Sequence, residues 1–355
     1  MPRPLSAQIF VRALSRNLAS ARSRAAGARV WAVVKANAYG HGLQAAVRGF
    51  AAADGLALIE FDNALRLREL GWTGPLLMME GAFGPADLDA ASRYRLSLVV
   101  HDESHLDWLR AHRGGPLDLW LKLNTGMNRL GIPAQRAATV HGALRGLAAV
   151  RSVGLLTHFA DADRPGGAKT PLARFEATTR GLPGPRSAAN SAALLDVPDA
   201  RFDWVRPGIM LYGASPFVGR GAVGLGLEPA MCLNSELIAI RTLHAGDAVG
   251  YGSSFVAPAP MRVGVVACGY ADGYPRVAPT GTPIAVAGVR TRTIGRVSMD
   301  LLTVDLDPVP HAEVGAPVEL WGRLVTVDEV AEAAGTIGYE LLCAVAPRVP
   351  LRLVD

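Results

Sequence analysis

Lys35 stands where a reactive amine would be of most use. It closes the apolar run WAVVK (31–35) and opens the small-residue turn ANAYGHG (36–42). Only three of the 36 Lys and Arg residues are lysines, Lys35, Lys122 and Lys169. A lysine amine loses its proton at modest cost and condenses with a carbonyl to an imine. A guanidinium stays charged and cannot. The small residues that follow, with Tyr39 among them, suit the close approach of a ligand. The residues alone weigh this reading about equally against an ordinary surface lysine.

Elements must carry that lysine to a site. From residue 29 to about 212, short β-rich runs alternate with amphipathic stretches. The strand candidates are 29–35, 55–61, 75–80, 96–100, 117–123, 152–159, 186–190 and 203–208. LQAAVRGFAAA, DNALRLREL and DESHLDWLRAH show helical period between them. Eight strands with seven crossovers imply parallel β/α units, and eight units favour a closed (β/α)8 barrel of the TIM type over an open sheet. In such a barrel Lys35 ends the first strand, at the face that carries chemistry. After about residue 225 short β runs with Gly and Pro turns take over, and VTVDEVAEAAG (325–335) reads as the one clear helix. The expected fold is therefore α/β plus β. The barrel would span 9–225 and a β-rich C-terminal domain 226–355, joined by a strand from residues 1–8.

Composition excludes several classes. The 355 residues are half hydrophobic, 19% charged and +5 in net charge. The arginines are dispersed, with no basic block or aromatic-interleaved patch, so no nucleic-acid partner is expected. No apolar run reaches the ~18 residues of a membrane span, and the N-terminus has no apolar signal core. Three cysteines without paired spacing (Cys232, Cys268, Cys343) point to a reduced, cytoplasmic setting. His101 and His105 lie at i,i+4, but Glu103 is not adjacent to the first His as in a zincin motif, and no metal is expected. Gly224-Leu-Gly226 is a lone doublet and not a dinucleotide fingerprint.

VVKANAYGHG resembles the signature of the pyridoxal-phosphate-dependent alanine racemases around the lysine that holds the cofactor. The resemblance runs on in order through LKLNTGMNRLG (121–131), THFADAD (157–163), ANSAA (189–193), VRPGIMLYG (205–213), GYGSSF (250–255), CGYADGYPR (268–276), IGRVSMD (294–300) and TIGYELLCAVAPRVP (336–350). It covers almost the whole chain.

That resemblance implies interconversion of L- and D-alanine, supplying or degrading D-alanine for cell-wall peptidoglycan. Pyridoxal 5'-phosphate would be the electron sink. Lys35 would be the base on one face of Cα, and Tyr251 of the partner subunit the base on the other. A tyrosine with a reference pKa of ~10 needs cationic or hydrogen-bonding neighbours for that task, and His158 and Arg206 are the implied network. Arg206 would also donate to the pyridine nitrogen, keeping it unprotonated and favouring simple proton return. Tyr39, Asn190, Ser191, Gly208, Ile209 and Tyr339 complete the implied cofactor site. Ser191 follows the seventh strand and Gly208-Ile209 the eighth, the recurrent phosphate position of these barrels. Arg129 and the backbone of the partner's Met299 are assigned to the substrate carboxylate. Lys122, carbamylated in many relatives, would hold Arg129, and Asp300 would support the site. A homodimer with shared sites follows.

Ser187, Ser298 and Leu301 depart from the family's commoner His, Cys and Gln at those places. They leave open the tuning of the site and the breadth of its substrates. Racemases of serine, lysine or arginine are the nearest rivals. A decarboxylase on the same barrel would want a stronger sink than Arg206 allows, and a non-catalytic cofactor carrier would lack the β-rich domain.

Overall fold

The computed structural model describes residues 3–355. It divides into two compact units. Ser15–Ala38 and Ala46–Leu211 form one. Tyr39–Ala45, Tyr212–Asp355 and the N-terminal residues up to Leu14 form the other.

The first unit is a closed barrel. After β1 (Ser6–Phe10), which belongs to the other unit, come β2 (Arg29–Val33), β3 (Gly55–Leu58), β4 (Leu76–Met78), β5 (Leu96–Val100), β6 (Leu117–Lys122), β7 (Val150–Leu156), β8 (Arg186–Ser187) and β9 (Trp204–Val205). Each pairs in parallel with the next, and β9 closes on β2. All eight lie within the runs expected from sequence, or one or two residues to one side. All but β5 are shorter than those runs, because the apolar residues continue past the ladder into the loops.

The barrel is filled by tryptophan. Trp31 on β2 stacks on Trp204 of β9 at 4.3 Å, and Trp120 of β6 meets both edge-on at 6.4 Å. Two of the rings are accommodated by glycine on the next strand, since Trp31 pairs with Gly55 and Trp120 with Gly154. A Cβ at Gly55 would lie 2.2 Å from the Trp31 ring, and one at Gly154 2.6 Å from Trp120. Interlocked side chains make this a packed core rather than a pore, so the open end of the barrel is left as the place for a ligand.

The second unit is β-rich. Its eight-stranded sheet contains β1 and the strands β10 (Met231–Leu243), β13 (Met261–Val266), β14 (Pro283–Val286), β15 (Val289–Ile294), β16 (Leu302–Asp305), β17 (Pro317–Trp321) and β18 (Leu351–Val354); the ribbon β11 (Ala248–Val249) and β12 (Phe255–Val256) stands apart. β10 pairs with β1, β13 and β17, and its register shifts between Leu237 and Ala239 let one 13-residue strand serve both ends. β1 also runs parallel to β18, so the two ends of the chain lie side by side.

Three expectations change. The N-terminal strand occupies Ser6–Phe10 rather than 1–8, and the first barrel helix begins at Val11. Residues from Tyr212 on group with the β-rich unit, ahead of the expected division at 225. That unit also holds two helices. Val327–Ala333 begins at a capping box in which Thr326 accepts from Glu329 N, and Gly338–Ala344 follows it. The second was hidden because its seven residues are too few to display a period. No helix among the described residues is long and apolar enough to cross a membrane.

Candidate active site

Strand ends at the mouth of the barrel deliver the functional side chains to one cavity of about 130 Å³. Lys35 follows β2, Glu80 follows β4, Lys122 ends β6, Arg129 stands in the loop after β6, His158 follows β7 and Arg206 follows β9. Four cations thus face one cavity with a single carboxylate, Glu80, among its lining residues. Such a site suits a ligand carrying several negative charges.

Lys35 emerges from an unusual turn. Ala36, Asn37, Ala38 and Tyr39 all have φ between 50° and 57°, a left-handed turn built without glycine until Gly40. Each such residue costs about 1–2 kcal/mol, and strain of this kind persists only where surrounding contacts fix it. Here Glu60 Oε1 accepts from Ala36 N at 2.9 Å, and Ala38 N donates to Val34 O at 2.9 Å. From Tyr39, within this turn, the chain groups with the β-rich unit.

Arg206 is buried, 5% exposed, with no carboxylate partner among the described residues. Nη1 donates to Ser187 Oγ at 2.5 Å, while Nη2 donates to Thr157 O and to Ala188 O at 3.3 Å. Ser187 Oγ in turn donates to Trp204 O at 2.8 Å. Neutral acceptors orient the fork without neutralising it. Burial lowers its pKa to about 10, still charged at neutral pH.

The same field acts on its neighbours. Burial, then Arg206 and Arg129, hold Lys122 down to about 8. Burial, then Arg206, Lys122, Arg129 and Lys35, hold His158 down to about 3, so its imidazole is neutral at pH 7. A lysine amine close to neutrality is nucleophilic, which is the chemistry carbamylation requires. Arg129 is exposed and makes no ion pair among the described residues.

At the phosphate position expected from sequence, Ser191 Oγ accepts from Gly208 N at 2.8 Å and Met210 N at 3.5 Å. Ser191 and the backbone N–H groups of Gly208 and Met210 therefore converge on one buried point, with Ile209 between the latter two. The short helix Ser191–Asp196 is capped by Asn190, whose side chain accepts from Ala193 N at 3.0 Å.

The β-rich unit carries the other expected residues. Tyr39 stacks on Tyr212 at 4.6 Å and lies 6.0 Å from the Tyr339 ring. Burial, with Tyr339 and Cys343 nearby, raises the Tyr39 pKa, keeping its hydroxyl a donor. Tyr251 and Met299 are 70% and 53% exposed on this unit. Asp300 is gripped by Arg348, which also binds the buried Asp272 at 2.7 Å. Tyr270 N and Ala271 N donate to Ser298 O and Met299 O, clamping the Met299 segment.

The donor set fits a pyridoxal phosphate. A lysine for the aldehyde, a buried guanidinium without a counter-ion, and converging backbone N–H groups with a serine match its carbonyl, ring nitrogen and phosphate. Two family models match the chain, the alanine racemase N-terminal domain over residues 9–216 and the C-terminal domain over 230–353. The chain belongs to the alanine racemase family. Among curated relatives of that family, the alanine racemase of Paraburkholderia phytofirmans is 56% identical over 354 residues and that of Ralstonia nicotianae 55% over 359. They cover 99% of this chain and 99% and 95% of their own length. The crystal structure of the biosynthetic alanine racemase from Pseudomonas aeruginosa superposes with a TM-score of 0.97 at 45% identity. The Acinetobacter baumannii family member gives 0.94 at 37%. Each covers 99% of this chain and 100% of its own.

Sequence reasoning passed over Glu60 and Glu80, although both stand at the ends of strand runs, where barrels place functional residues. It treated Ser187 only as a departure from relatives. In the structure this hydroxyl is what holds the Arg206 fork.

Proposed function

We infer that this protein interconverts L- and D-alanine with pyridoxal 5'-phosphate, using Lys35 and the partner's copy of residue 251 as its two bases. The observation that carries the reading is the convergence of Lys35, Lys122, Arg129, His158 and Arg206 on one cavity at the barrel mouth. Lys35, Tyr39, His158, Asn190, Ser191, Arg206, Gly208, Ile209 and Tyr339 would hold the cofactor, and Arg129 with the backbone of Met299 the substrate carboxylate. When bound, the cofactor supplies the electron sink that makes the Cα proton removable.

The residues do the rest. Lys35 Nζ takes or returns the Cα proton on one face, and the Tyr251 hydroxyl does so on the other. Neutral His158 accepts a hydrogen bond where a charged imidazole could not. Arg206, fixed by Ser187 and two carbonyls, would donate a hydrogen bond to the ring nitrogen while keeping its own proton at neutral pH. A carbamate on Lys122 would give Arg129 an anionic partner, and Asp300, through Arg348, steadies Met299. The β-rich domain then completes the site of a second copy, so the working unit is a homodimer. Cys232, Cys268 and Cys343 as thiols rather than disulfides fit a cytoplasmic enzyme.

Subunit mixing tests this. Lys35→Ala and Tyr251→Phe homodimers are each expected to be inactive. Dissociated and reassociated together, they should regain about a quarter of the parental activity, because half the dimers are mixed and each has one intact site. No recovery, with mixed dimers demonstrated by mass, would place Tyr251 in its own subunit's site, and a fully active Tyr251→Phe homodimer would place it outside any site.

A further inference from the structure

We propose that Asn124 is the positioning residue for Arg129, fixing the affinity of the site for the substrate carboxylate. The inference rests on the reading of Arg129 given above. Beside any carbamate on Lys122, which would act on the guanidinium, the direction of Arg129 depends on the backbone beneath it. That backbone is organised by one side chain. Asn124 Oδ1 accepts from Gly126 N at 3.0 Å and from Asn128 N at 3.1 Å, and Nδ2 donates to Asn128 Oδ1 at 2.9 Å. Three hydrogen bonds from one amide thus close residues 124–128 into a ring directly before the arginine.

The ring is tied down at both ends. Asn124 N donates to Ile132 O at 3.0 Å, and Ile132 N to Lys122 O at 2.8 Å, docking the far end of the loop on the last residue of β6. Gly131 allows that approach, since a Cβ there would meet Asn124 N at 2.8 Å. The Thr125 and Thr157 hydroxyls bond at 2.7 Å, and Thr157 Oγ1 donates to Leu123 O. Thr157 O also accepts from Arg206. The loop that presents Arg129 is therefore anchored to the residue that orients Arg206. Asn128 has φ 56°, a conformation that asparagine tolerates better than most residues. The amide clamp and the left-handed residue belong to the same device.

Loosening the clamp lets Arg129 sample many directions. That weakens ground-state and transition-state binding of the carboxylate alike, which raises KM and leaves kcat in place. Asn124→Ala holoenzyme is expected to show KM raised about tenfold for both L- and D-alanine, kcat within about twofold, and unchanged affinity for pyridoxal phosphate. The inhibition constant of acetate, a carboxylate without an amine, should rise by the same factor. Asn124→Asp keeps both acceptor bonds while replacing the donor by a charged oxygen, so it should recover part of the loss. Asn128→Gly keeps the left-handed backbone and loses one bond, which gives a mild second variant should Asn124→Ala fold poorly. A fall in kcat or cofactor affinity with no change in KM or acetate binding would overturn the proposal. Arg129→Lys is measured alongside. If it raises KM while both Asn124 variants and Asn128→Gly do not, the positioning role of Asn124 falls. If Arg129→Lys leaves KM and acetate binding unchanged, the reading of Arg129 itself falls, and this proposal with it.

Discussion

Replacing Lys122 by methionine should stabilise the protein at pH 7 and remove a specific pH dependence. The lysine titrates at about 8 in the folded chain against 10.5 as an ordinary value, held down chiefly by burial and by Arg206 and Arg129. A shift of that size corresponds to roughly 3 kcal/mol against the folded state while the amine is charged in both states. Below pH 8 the penalty is present in full. Between 8 and 10.5 the folded state sheds the proton that the unfolded chain keeps, so stability rises with pH. From pH 7 to 9.5 the gain is about 2 kcal/mol. Methionine fills a similar volume without charge, so Lys122→Met should gain stability at pH 7 and lack that rise. Urea unfolding in carbon-dioxide-free buffer at the two pH values measures it. Equal pH dependence in parent and variant would refute the account of the cation field. Added bicarbonate supplies a second comparison, because carbamylation removes the positive charge and should stabilise the parent alone at pH 7.

Arg206→Lys keeps the charge but cannot reach Ser187 Oγ, Thr157 O and Ala188 O together. It should lose about 2 kcal/mol in urea titration and most of its racemase turnover, and retained stability with full turnover would contradict the role of the fork. Gly55→Ala drives a methyl to 2.2 Å from the Trp31 ring, which is itself stacked on Trp204; a loss of about 2–3 kcal/mol is expected, and a thermally silent variant would mean the tryptophan layer is loose. In the left-handed turn, Ala36→Gly should be neutral or stabilising by up to about 1 kcal/mol and Ala36→Val destabilising by about 2 kcal/mol. The opposite order in thermal melts would show that residue 36 is not left-handed. Thr326→Ala removes the cap of Val327–Ala333 and should cost about 1 kcal/mol by the same assay.

The barrel was legible because a parallel sheet buried on both faces writes each strand as an apolar run, and its loops begin with turn and cap residues. Even Arg186–Ser187 and Trp204–Val205, two residues each, fell inside candidate runs. What pattern could not reveal is side-chain partnership across sequence. Nothing in SAAN announces that Ser187 grips an arginine 19 residues on, and nothing in NTGMN announces that the first asparagine ties the second. The short helix Gly338–Ala344 and the grouping of Tyr39–Ala45 with the β-rich unit depend on tertiary contacts, which periodicity does not encode. The place of Lys35 at the barrel mouth was legible from its position at the end of the first strand run. The left-handed turn after it was not, because ANAY carries no glycine to signal positive φ.

The central claim is proton exchange at Cα from two faces. It is tested most directly by incubating the protein, loaded with pyridoxal phosphate, with L-alanine in D₂O and following deuterium and chirality together, with Tyr251→Phe alongside. The account predicts that D-alanine forms with deuterium at Cα, and that Tyr251→Phe impairs proton transfer on one face selectively. If neither enantiomer of alanine acquires deuterium while Lys35 demonstrably carries the cofactor, the claim is contradicted.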